Sequence, residues 1–369
     1  MSFSDPKLTK AMAALAEPAP CSAEARCDAL ISWVADHNFL ALTVPIEYGG
    51  LGATLADGVQ MVYEIARRSG SAGLTYAMHL GQIHTWASHV KSSPYLADQL
   101  RCVVAQRKLV ASVVSEPETG GNIHKATAVM AHTGTGMELR KDTSNTSYVP
   151  HAGAFLVTAM EMVGDKPVQR LVVVRADATE AVEKRRNVLM GMQGIDNRSW
   201  SFTFRYPAEA VFAEPFSAIA SATMTSATHL LWAALWSGLS ARALDTAGRY
   251  AKKELPEPTS GVVLTKLSEL RNRHYILNAL IRDNLPETRP ASPFAASGQI
   301  NRLKIVASET ACDIVLACLQ TVGFRGYAEG GPYSLSEPLR DVLSGPLMVS
   351  NARLQANTAG VDRYSEERP

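Results

Sequence analysis

The chain has 369 residues, which is long enough to bury substantial hydrophobic cores in two or three domains. Hydrophobic residues make up 46% and charged residues 19% of it, as in an ordinary soluble globular protein. A net charge of +1, without a basic stripe interleaved with aromatic residues, argues against nucleic acid as a partner. The five scattered cysteines indicate free thiols in a reducing compartment. With no signal peptide and no apolar run of about 18 residues, the sequence predicts a cytoplasmic protein without a membrane partner.

The first 108 residues carry helical patterns. Apolar residues recur at helical spacing over 23–38 and 56–68, and the glycines at 49–52 break the pattern between them. The stretch 70–90 is poor in charge, which predicts a helix that is buried on most sides. It carries His79, His84 and His89, whose spacing of five residues does not suit a metal pair on one helix face. No metal site is therefore predicted.

The periodicity changes at residue 108 and changes back near residue 215. Short runs rich in β-branched and aromatic residues occupy 108–115, 155–160, 169–175 and 200–204, which predicts strands. The segment 226–252 is apolar nearly all round and predicts a helix inside a bundle; 264–282 and 301–321 predict two more. The predicted inner face of the last helix carries Leu303, Val306, Ala311, Ile314 and Cys318. The predicted fold class is α+β, with a helical domain over 1–108, a β-domain over 109–215 and a helical domain over 216–369.

Four short motifs follow one another along the chain. They are Val-Pro-Ile-Glu-Tyr-Gly-Gly-Leu-Gly from Val44, Ser-Val-Val-Ser-Glu-Pro-Glu-Thr-Gly-Gly-Asn from Ser112, Leu-Met-Gly-Met from Leu189, and Arg-Asp from Arg340. In this order and spacing they resemble the motifs of the acyl-CoA dehydrogenase superfamily of flavoproteins, over about residues 39–359. The resemblance implies an N-terminal helical domain, a central β-barrel-like domain and a C-terminal four-helix bundle. It also implies that FAD lies between the last two.

The resemblance further implies a set of cofactor contacts. In the family, a Trp and a Thr on one strand lie against the flavin ring, and here Asn145 and Ser147 stand at those positions. A glycine-rich run that in the family approaches the partner subunit's cofactor survives from Gln320, with Phe324 at its second glycine. The positions implied for FAD binding are Val114, Ser115, Gly120, Gly121, Asn145, Ser147, Gln320, Gly323, Gly326 and Asn351.

The family's catalytic base, a glutamate, has no carboxylate counterpart at either of its two usual places. Val349 stands at the first place and the second falls near Thr228. Valine takes no proton, and threonine is far too weak a base at neutral pH. His229 is the nearest ionisable group and is a chemically reasonable base, although a packing or phosphate-contacting role is the simpler interpretation. The other catalytic candidates are His79 and Asn145, and the implied substrate contacts are Tyr48, Val349 and Ser350.

Three functions remain open. Some superfamily members without this glutamate are flavin monooxygenases and oxidases, which favours a flavin oxygenase or oxidase that acts on a CoA thioester with O2. The runs Lys-Asp-Thr-Ser from Lys141 and Arg-Asp-x-Leu-Ser from Arg340 resemble the flavoprotein dioxygenase group of tropone biosynthesis. The alternatives are a dehydrogenase with a relocated base and a catalytically silent binding homologue. The apolar surface of the C-terminal helices also predicts a homodimer or homotetramer.

Overall fold

The computed structural model describes residues 6–15, 22–119, 122–134, 136–286 and 293–365. Its first helices are Pro6–Ala14 (α1), Ala23–Asp36 (α2), Leu55–Ala66 (α3), Gly70–His89 (α4) and Pro94–Gln106 (α5). Ser22, Thr54 and Ser69 begin α2, α3 and α4, because each hydroxyl accepts a backbone N–H from the first turn. The helices predicted at 23–38, 56–68 and 70–90 are confirmed, and α4 is buried along most of its length.

Strands in the described residues form two sheets. One sheet has the order β1-β4-β5, from Leu109–Val113 (β1), Ala152–Val163 (β4) and Lys166–Arg175 (β5). The other has the order β2-β3-β7-β6, from Ala131–Thr133 (β2), Gly136–Ser147 (β3), Thr179–Arg186 (β6) and Asn197–Tyr206 (β7). Strands β1 and β4 are parallel, and the other pairs are antiparallel. The β-region predicted from the sequence is therefore confirmed.

An aromatic cluster joins the two sheets. The ring centroid of Phe155 on β4 lies 5.8 Å from that of Phe202 and 6.0 Å from that of Phe204, both on β7. Phe202 and Phe204 are themselves stacked, with their centroids 5.0 Å apart. All three side chains are buried. Contacts of this kind add to the stabilisation that apolar burial gives, and they join β4 of one sheet to β7 of the other.

The helices return after residue 215. They are Phe216–Ile219 (α6), Thr225–Glu254 (α7), Thr259–Asp283 (α8), Pro293–Val322 (α9), Phe324–Tyr327 (α10), Ser336–Val342 (α11) and Asn351–Ser365 (α12). Helix α7 packs against α3, α4, α8 and α9 and forms the centre of the molecule. Gly238 allows the closest approach, because a Cβ there would lie 2.5 Å from the carbonyl oxygen of Tyr63 on α3. The predicted C-terminal helices are confirmed.

Helix α9 differs from its prediction in two respects. Val306 is 44% exposed, so its assignment to the inner face is wrong; Leu303, Ala311, Ile314 and Cys318 are buried as expected. The sequence also predicted no long apolar run, yet Gly298–Val322 has a mean hydropathy of 1.5, enough by length and composition to cross a membrane. The core helix of a soluble protein has the same character, and the inner face of α9 packs against α7.

Candidate functional site

A buried ion pair holds the turn after β1 against β3. Lys141 Nζ lies 2.8 Å from Glu116 Oε1, and the two side chains are 0% and 3% exposed. Lys141 also donates to the carbonyl and hydroxyl oxygens of Thr158 on β4, at 2.7 Å and 3.0 Å. Burial alone would raise the pKa of Glu116, but hydrogen bonds from Lys141 and Thr127 hold it below its ordinary value. This network fixes residues 114–119 relative to both sheets.

The end of β3 presents a second group of polar side chains. A bulge between Thr143 and Thr146 interrupts the register with β7, and Asn145 in the bulge is exposed. Ser147 is half-buried, and its Oγ accepts a hydrogen bond from Asn197 Nδ2 at 3.0 Å. Asn197 Oδ1 in turn accepts from the Asn187 amide at 2.9 Å. The two asparagines therefore orient the Ser147 hydroxyl.

These groups fit the flavin that the sequence resemblance implies. The half-buried Ser115 hydroxyl has no hydrogen-bond partner within the described part of the chain. The Tyr148 hydroxyl lies 3.3 Å from the Val110 carbonyl oxygen, so the end of β3 lies beside the start of β1. Hydroxyl donors of this kind suit the oxygen and nitrogen acceptors of a flavin ring. Val114, Ser115 and Ser147 would hold that ring, whereas Gly120 and Gly121 lie outside the described residues.

The Leu-Met-Gly-Met motif from Leu189 and the Arg-Asp motif from Arg340 are in contact in the structure. The Met192 N–H donates to Asp341 Oδ1 at 2.5 Å. A Cβ on Gly191 would lie 2.1 Å from the Arg340 carbonyl oxygen, so this approach requires glycine. Burial raises the pKa of Asp341 to about 7, although the bond from Met192 opposes the shift. The contact fixes the loop after residue 189 against α11.

Lys304 holds the segment that carries Val349. Its Nζ donates to the carbonyl oxygens of Gly345 and Val349, each at 2.9 Å, and to Asn351 Oδ1 at 2.6 Å. Lys304 is fully buried, and its ammonium lies 5.6 Å from the centroid of the Trp236 ring. Val349 has φ of 50°, a left-handed conformation that is unusual for a β-branched residue. Its side chain is half-buried and offers no proton acceptor.

Two residues next to Val349 have structural contacts. The Asn351 amide also donates to Ser308 Oγ at 3.1 Å and to Glu309 Oε1 at 3.0 Å, so its polar atoms are bound within the fold. The Ser350 carbonyl oxygen accepts backbone N–H groups from the first turn of α12. The predicted cofactor role of Asn351 and the predicted substrate role of Ser350 therefore remain predictions.

The two candidate histidine bases are both buried and weakly basic. Burial and the neighbouring charge of Lys304 lower the pKa of His229 to about 3, although a hydrogen bond to the Ile300 carbonyl opposes this. Its Nδ1 has no partner among the described residues. His79 has its Nε2 2.8 Å from the Leu40 carbonyl oxygen, and its Nδ1 accepts the Val110 N–H at 2.9 Å. Both His79 nitrogens are occupied, which suits a structural role.

The glycine-rich run from Gln320 lies at the C-terminal end of α9. Gly323 has φ of 68° and ψ of −141°, which requires glycine. Gln320 is exposed, and Phe324 is 82% exposed. At 1.5 Å rise per residue, Gln320 lies about 24 Å along α9 from Lys304. One chain therefore presents Gln320 and Gly323 at its surface, away from its own Val349 segment.

Tyr48 lies in the turn Ile46–Tyr48 among the N-terminal helices. Its side chain is buried, and the Arg101 guanidinium of α5 lies 5.1 Å from its ring centroid. A Cβ on Gly50 would lie 2.1 Å from the Val44 carbonyl oxygen, so the turn requires glycine. These contacts explain the first motif by packing. The substrate role of Tyr48 remains a prediction.

Sequence reasoning missed Lys304 and Asn197. Lys304 lies seven residues before Ala311, on the stripe that becomes the inner face of α9, so a basic residue at a core position was the available signal. Its acceptors are 41 to 47 residues further along the chain, and no local pattern identifies them. Asn197 offered no such signal, because its partners Ser147 and Asn187 lie 50 and 10 residues away in the chain.

Comparison with models of protein families identifies the family of the chain. The acyl-CoA dehydrogenase N-terminal domain matches residues 9–101, and the acyl-CoA dehydrogenase C-terminal domain matches residues 219–348. Together these matches cover more than half of the chain. The chain therefore belongs to the acyl-CoA dehydrogenase family, whose cofactor is FAD.

Individual relatives are distant. Mitochondrial isovaleryl-CoA dehydrogenase from Oryza sativa subsp. japonica is 22% identical over 353 residues, which are 90% of this chain and 82% of that protein. Butyryl-CoA dehydrogenase from Megasphaera elsdenii superposes with a TM-score of 0.79 at 16% identity, over 98% of this chain and 99% of that one. Dibenzothiophene monooxygenase from Paenibacillus sp. A11-2 superposes with a TM-score of 0.75 at 17% identity, over 91% and 95%. These likenesses establish the fold.

Proposed function

We propose that this protein is an FAD-dependent oxygenase or oxidase that acts on a CoA thioester in a biosynthetic pathway. The observation that carries the proposal is Val349, at the position where the resemblance implies a glutamate. A dehydrogenase removes the α-proton of the thioester with a general base as the β-hydride leaves. Val349 has no group to accept that proton, and the low pKa values of His229 and His79 make both rings weak bases.

The residues of the chain would bind and orient the flavin and the substrate, and they would not transfer protons. The Ser115 hydroxyl and the hydroxyl of Ser147, which Asn197 orients, would bind the polar edge of the flavin. Asn145 would place an amide where the family has an indole ring. Lys304 would keep the Val349 segment in one position beside the substrate. Bound FAD would take up two electrons from an organic substrate or reductant and pass them to O2.

Support also comes from the fold. The dibenzothiophene monooxygenase has the same overall fold, so the scaffold is compatible with oxygen chemistry. The exposed Asn145 and the half-buried Ser115 and Ser147 give the site a more polar lining than the family's Trp and Thr would. A polar lining suits a reaction in which charge develops on oxygen.

One observation favours a second function. His229 Nδ1 is buried and unpartnered among the described residues, so its lone pair is free. A dehydrogenase that uses His229 as a relocated base is therefore the alternative. A catalytically silent homologue that binds the same ligands is the third possibility, because every contact described above would serve binding alone.

A flavin-absorbance experiment separates the three. FAD-loaded protein is mixed without air with a panel of aliphatic and aromatic acyl-CoAs, and air is then admitted. Bleaching followed by a product that has gained oxygen, or by peroxide formation, supports the proposal. Bleaching that gives an unsaturated product and leaves a flavin that stays reduced in air favours the dehydrogenase. The silent homologue is favoured if no thioester bleaches the bound FAD and if FAD reduced by an added reductant gives no oxygenated thioester in air. A protein that binds no FAD contradicts both flavin-dependent functions.

We further propose a homodimer in which Gln320 and Gly323 contact the partner's cofactor. The exposed Phe324 and the distance of about 24 Å along α9 between Gln320 and Lys304 support this arrangement. Light scattering should give at least a dimer mass for the FAD-bound protein. Phe324→Asp should shift it to monomer and loosen FAD, whereas Val182→Asp on the exposed strand β6 should not. A monomeric wild type with FAD bound would contradict the proposal.

A further inference from the structure

A polar cavity of about 900 Å³ lies between the N-terminal and C-terminal helices. Its wall consists of residues from α2, α4, α7 and α11, from the turn between α3 and α4, and from the loop 329–336, together with Gln193. None of the residues assigned above to the flavin ring or to the base position lines it. Cavities of about 300–1,000 Å³ are the usual size for small-molecule ligands. The cavity is therefore a second candidate site.

The wall of this cavity carries an excess of positive charge. Six arginines line it: Arg26, Arg67, Arg68, Arg242, Arg249 and Arg340. The carboxylates that line it are Asp245, Glu329, Glu337 and Asp341. Glu64 lies outside the wall and adds ion pairs at 3.5 Å to Arg67 and Arg68. With Glu64 counted, six guanidinium groups stand against five carboxylates.

Two of the guanidinium groups have unused donors. Arg249 donates to Thr246 Oγ1 at 3.2 Å and has no carboxylate partner within the described residues. The Nε of Arg68 is buried and has no partner there either. Arg242, by contrast, pairs with Glu337 at 3.2 Å. Because the Arg68 Nε is itself shielded from the cavity, Arg249 is the guanidinium group whose donors are open to a ligand.

The rim of the cavity leaves room for a ligand. Gly330 and Gly331 have φ of 74° and 86°, and a Cβ on either would meet nothing within 4 Å. Guanidinium groups form paired hydrogen bonds with phosphate oxygens in a geometry that few other side chains match. We propose that the cavity binds a phosphorylated small molecule of nucleotide size, with Arg249 donating to its phosphate oxygens.

The cavity wall also contacts the loop after residue 189. Asp341 accepts the Met192 N–H at 2.5 Å, and Ser71 Oγ accepts the Gly194 N–H at 3.0 Å. Asp341 and Ser71 both line the cavity. A bound phosphate compound therefore lies next to the two side chains that hold this loop. Such a ligand would stabilise the loop as well as the helix ends.

Calorimetric titration of the FAD-loaded protein tests the proposal, with inorganic pyrophosphate and ADP as probes at low ionic strength. We expect saturable binding of ADP without release of flavin. Arg249→Gln should weaken it about tenfold or more, as the loss of a hydrogen bond between charged groups predicts. Arg249 is exposed, so this variant should fold. Arg205→Gln, at an arginine on β7 that is 59% exposed, is the matched control and should bind as the wild type does.

Three outcomes would overturn the proposal. Absence of binding at millimolar probe concentrations would show that the arginines serve only their ion pairs. Equal losses in the Arg249 and Arg205 variants would indicate unspecific charge attraction. Release of flavin by ADP, or competition between ADP and a CoA thioester, would assign the phosphate contact to the cofactor or substrate. Titration of the FAD-free protein keeps this test separate from the flavin proposal.

Discussion

Lys304 Nζ donates to the carbonyl oxygen of Val349 across 45 residues of sequence, at 2.9 Å. Two further acceptors, from Gly345 and Asn351, complete its three donors. The lysine charge is thus compensated by carbonyl dipoles and an amide oxygen, and the desolvation that burial imposes lowers its pKa to about 8. The segment that carries Val349 is therefore held by a buried ammonium.

Replacing this lysine should loosen the segment without removing the helix bundle. Lys304→Met keeps the length of the side chain but leaves three buried acceptors without a donor. We expect a loss of about 2–4 kcal/mol in the free energy of unfolding, measured by chemical denaturation. Lys252→Met, on the exposed end of α7, is the matched control and should change it by less than about 0.5 kcal/mol. Equal stability of the two variants would mean that the acceptors are satisfied in another way.

The buried pair of Glu116 and Lys141 should be essential to the turn after β1. Lys141→Met would leave the Glu116 carboxylate buried without its cation, at a cost of about 3–5 kcal/mol in the free energy of unfolding. FAD affinity should fall with it, because the turn carries Ser115. Lys184→Met breaks a pair with Asp142 whose side chains are 48% and 56% exposed, so its cost should stay below about 1 kcal/mol. Similar losses in both variants would show that the buried pair has no special role.

Asp341 should make the free energy of unfolding depend on pH. Its pKa in the folded state is raised to about 7 from an ordinary 3.8, so the folded protein binds one more proton than the unfolded chain between these values. Its contribution to the free energy of unfolding is therefore full below about pH 4. That contribution falls as the pH rises towards 7, by at most about 4 kcal/mol. Urea denaturation at several pH values, for wild type and Asp341→Asn, measures it as a difference. A constant difference from pH 4 to 8 would contradict the shift.

The sequence predicted elements whose pattern is local. Helices α2, α3, α4 and α7 carry apolar residues at helical spacing over many turns, and their positions were correct. Strand β6 was not predicted, because its sequence Thr-Glu-Ala-Val-Glu-Lys-Arg-Arg has no alternation of apolar residues and is exposed along nearly all its length. It is a strand because β7 provides its hydrogen bonds. Charged edge strands of this kind have no signal within their own sequence.

The candidate site was predictable only where short motifs carried it. Gly191 packs against Arg340, which explains why the motif at 189–192 and the motif at 340–341 occur in the same chain. Their contact could not be predicted from spacing, because Met192 and Asp341 are 149 residues apart. Lys304 lay outside every motif. Its importance depends on three acceptors that only the fold brings together, so its role could not be read from spacing.

The position of Val349 gives the sharpest test of the proposed chemistry. Val349→Glu should keep the fold, because the side chain is half-buried and Lys304 contacts only the main chain of this residue. If the segment lies beside the α-carbon of a bound thioester, the variant should gain α,β-dehydrogenation by about 10² to 10⁴-fold over wild type, the usual range for a general base. Burial would raise the pKa of the new carboxyl and reduce the gain, while the charge of Lys304 would oppose that shift. Val349→Gln, of equal size but without a base, should show no gain.

His229→Gln completes this test, because it separates the proposed function from the dehydrogenase alternative. With a pKa of about 3, His229 is neutral and weakly basic at pH 7, so we expect native turnover to stay within about twofold of wild type. A loss of about 10²-fold or more, with FAD still bound, would identify His229 as a relocated base. Conversely, a Val349→Glu variant that binds FAD and thioester normally but abstracts no proton would mean that this segment does not face the substrate. The measurements are the rate of flavin bleaching without air and the exchange of the α-proton with solvent deuterium.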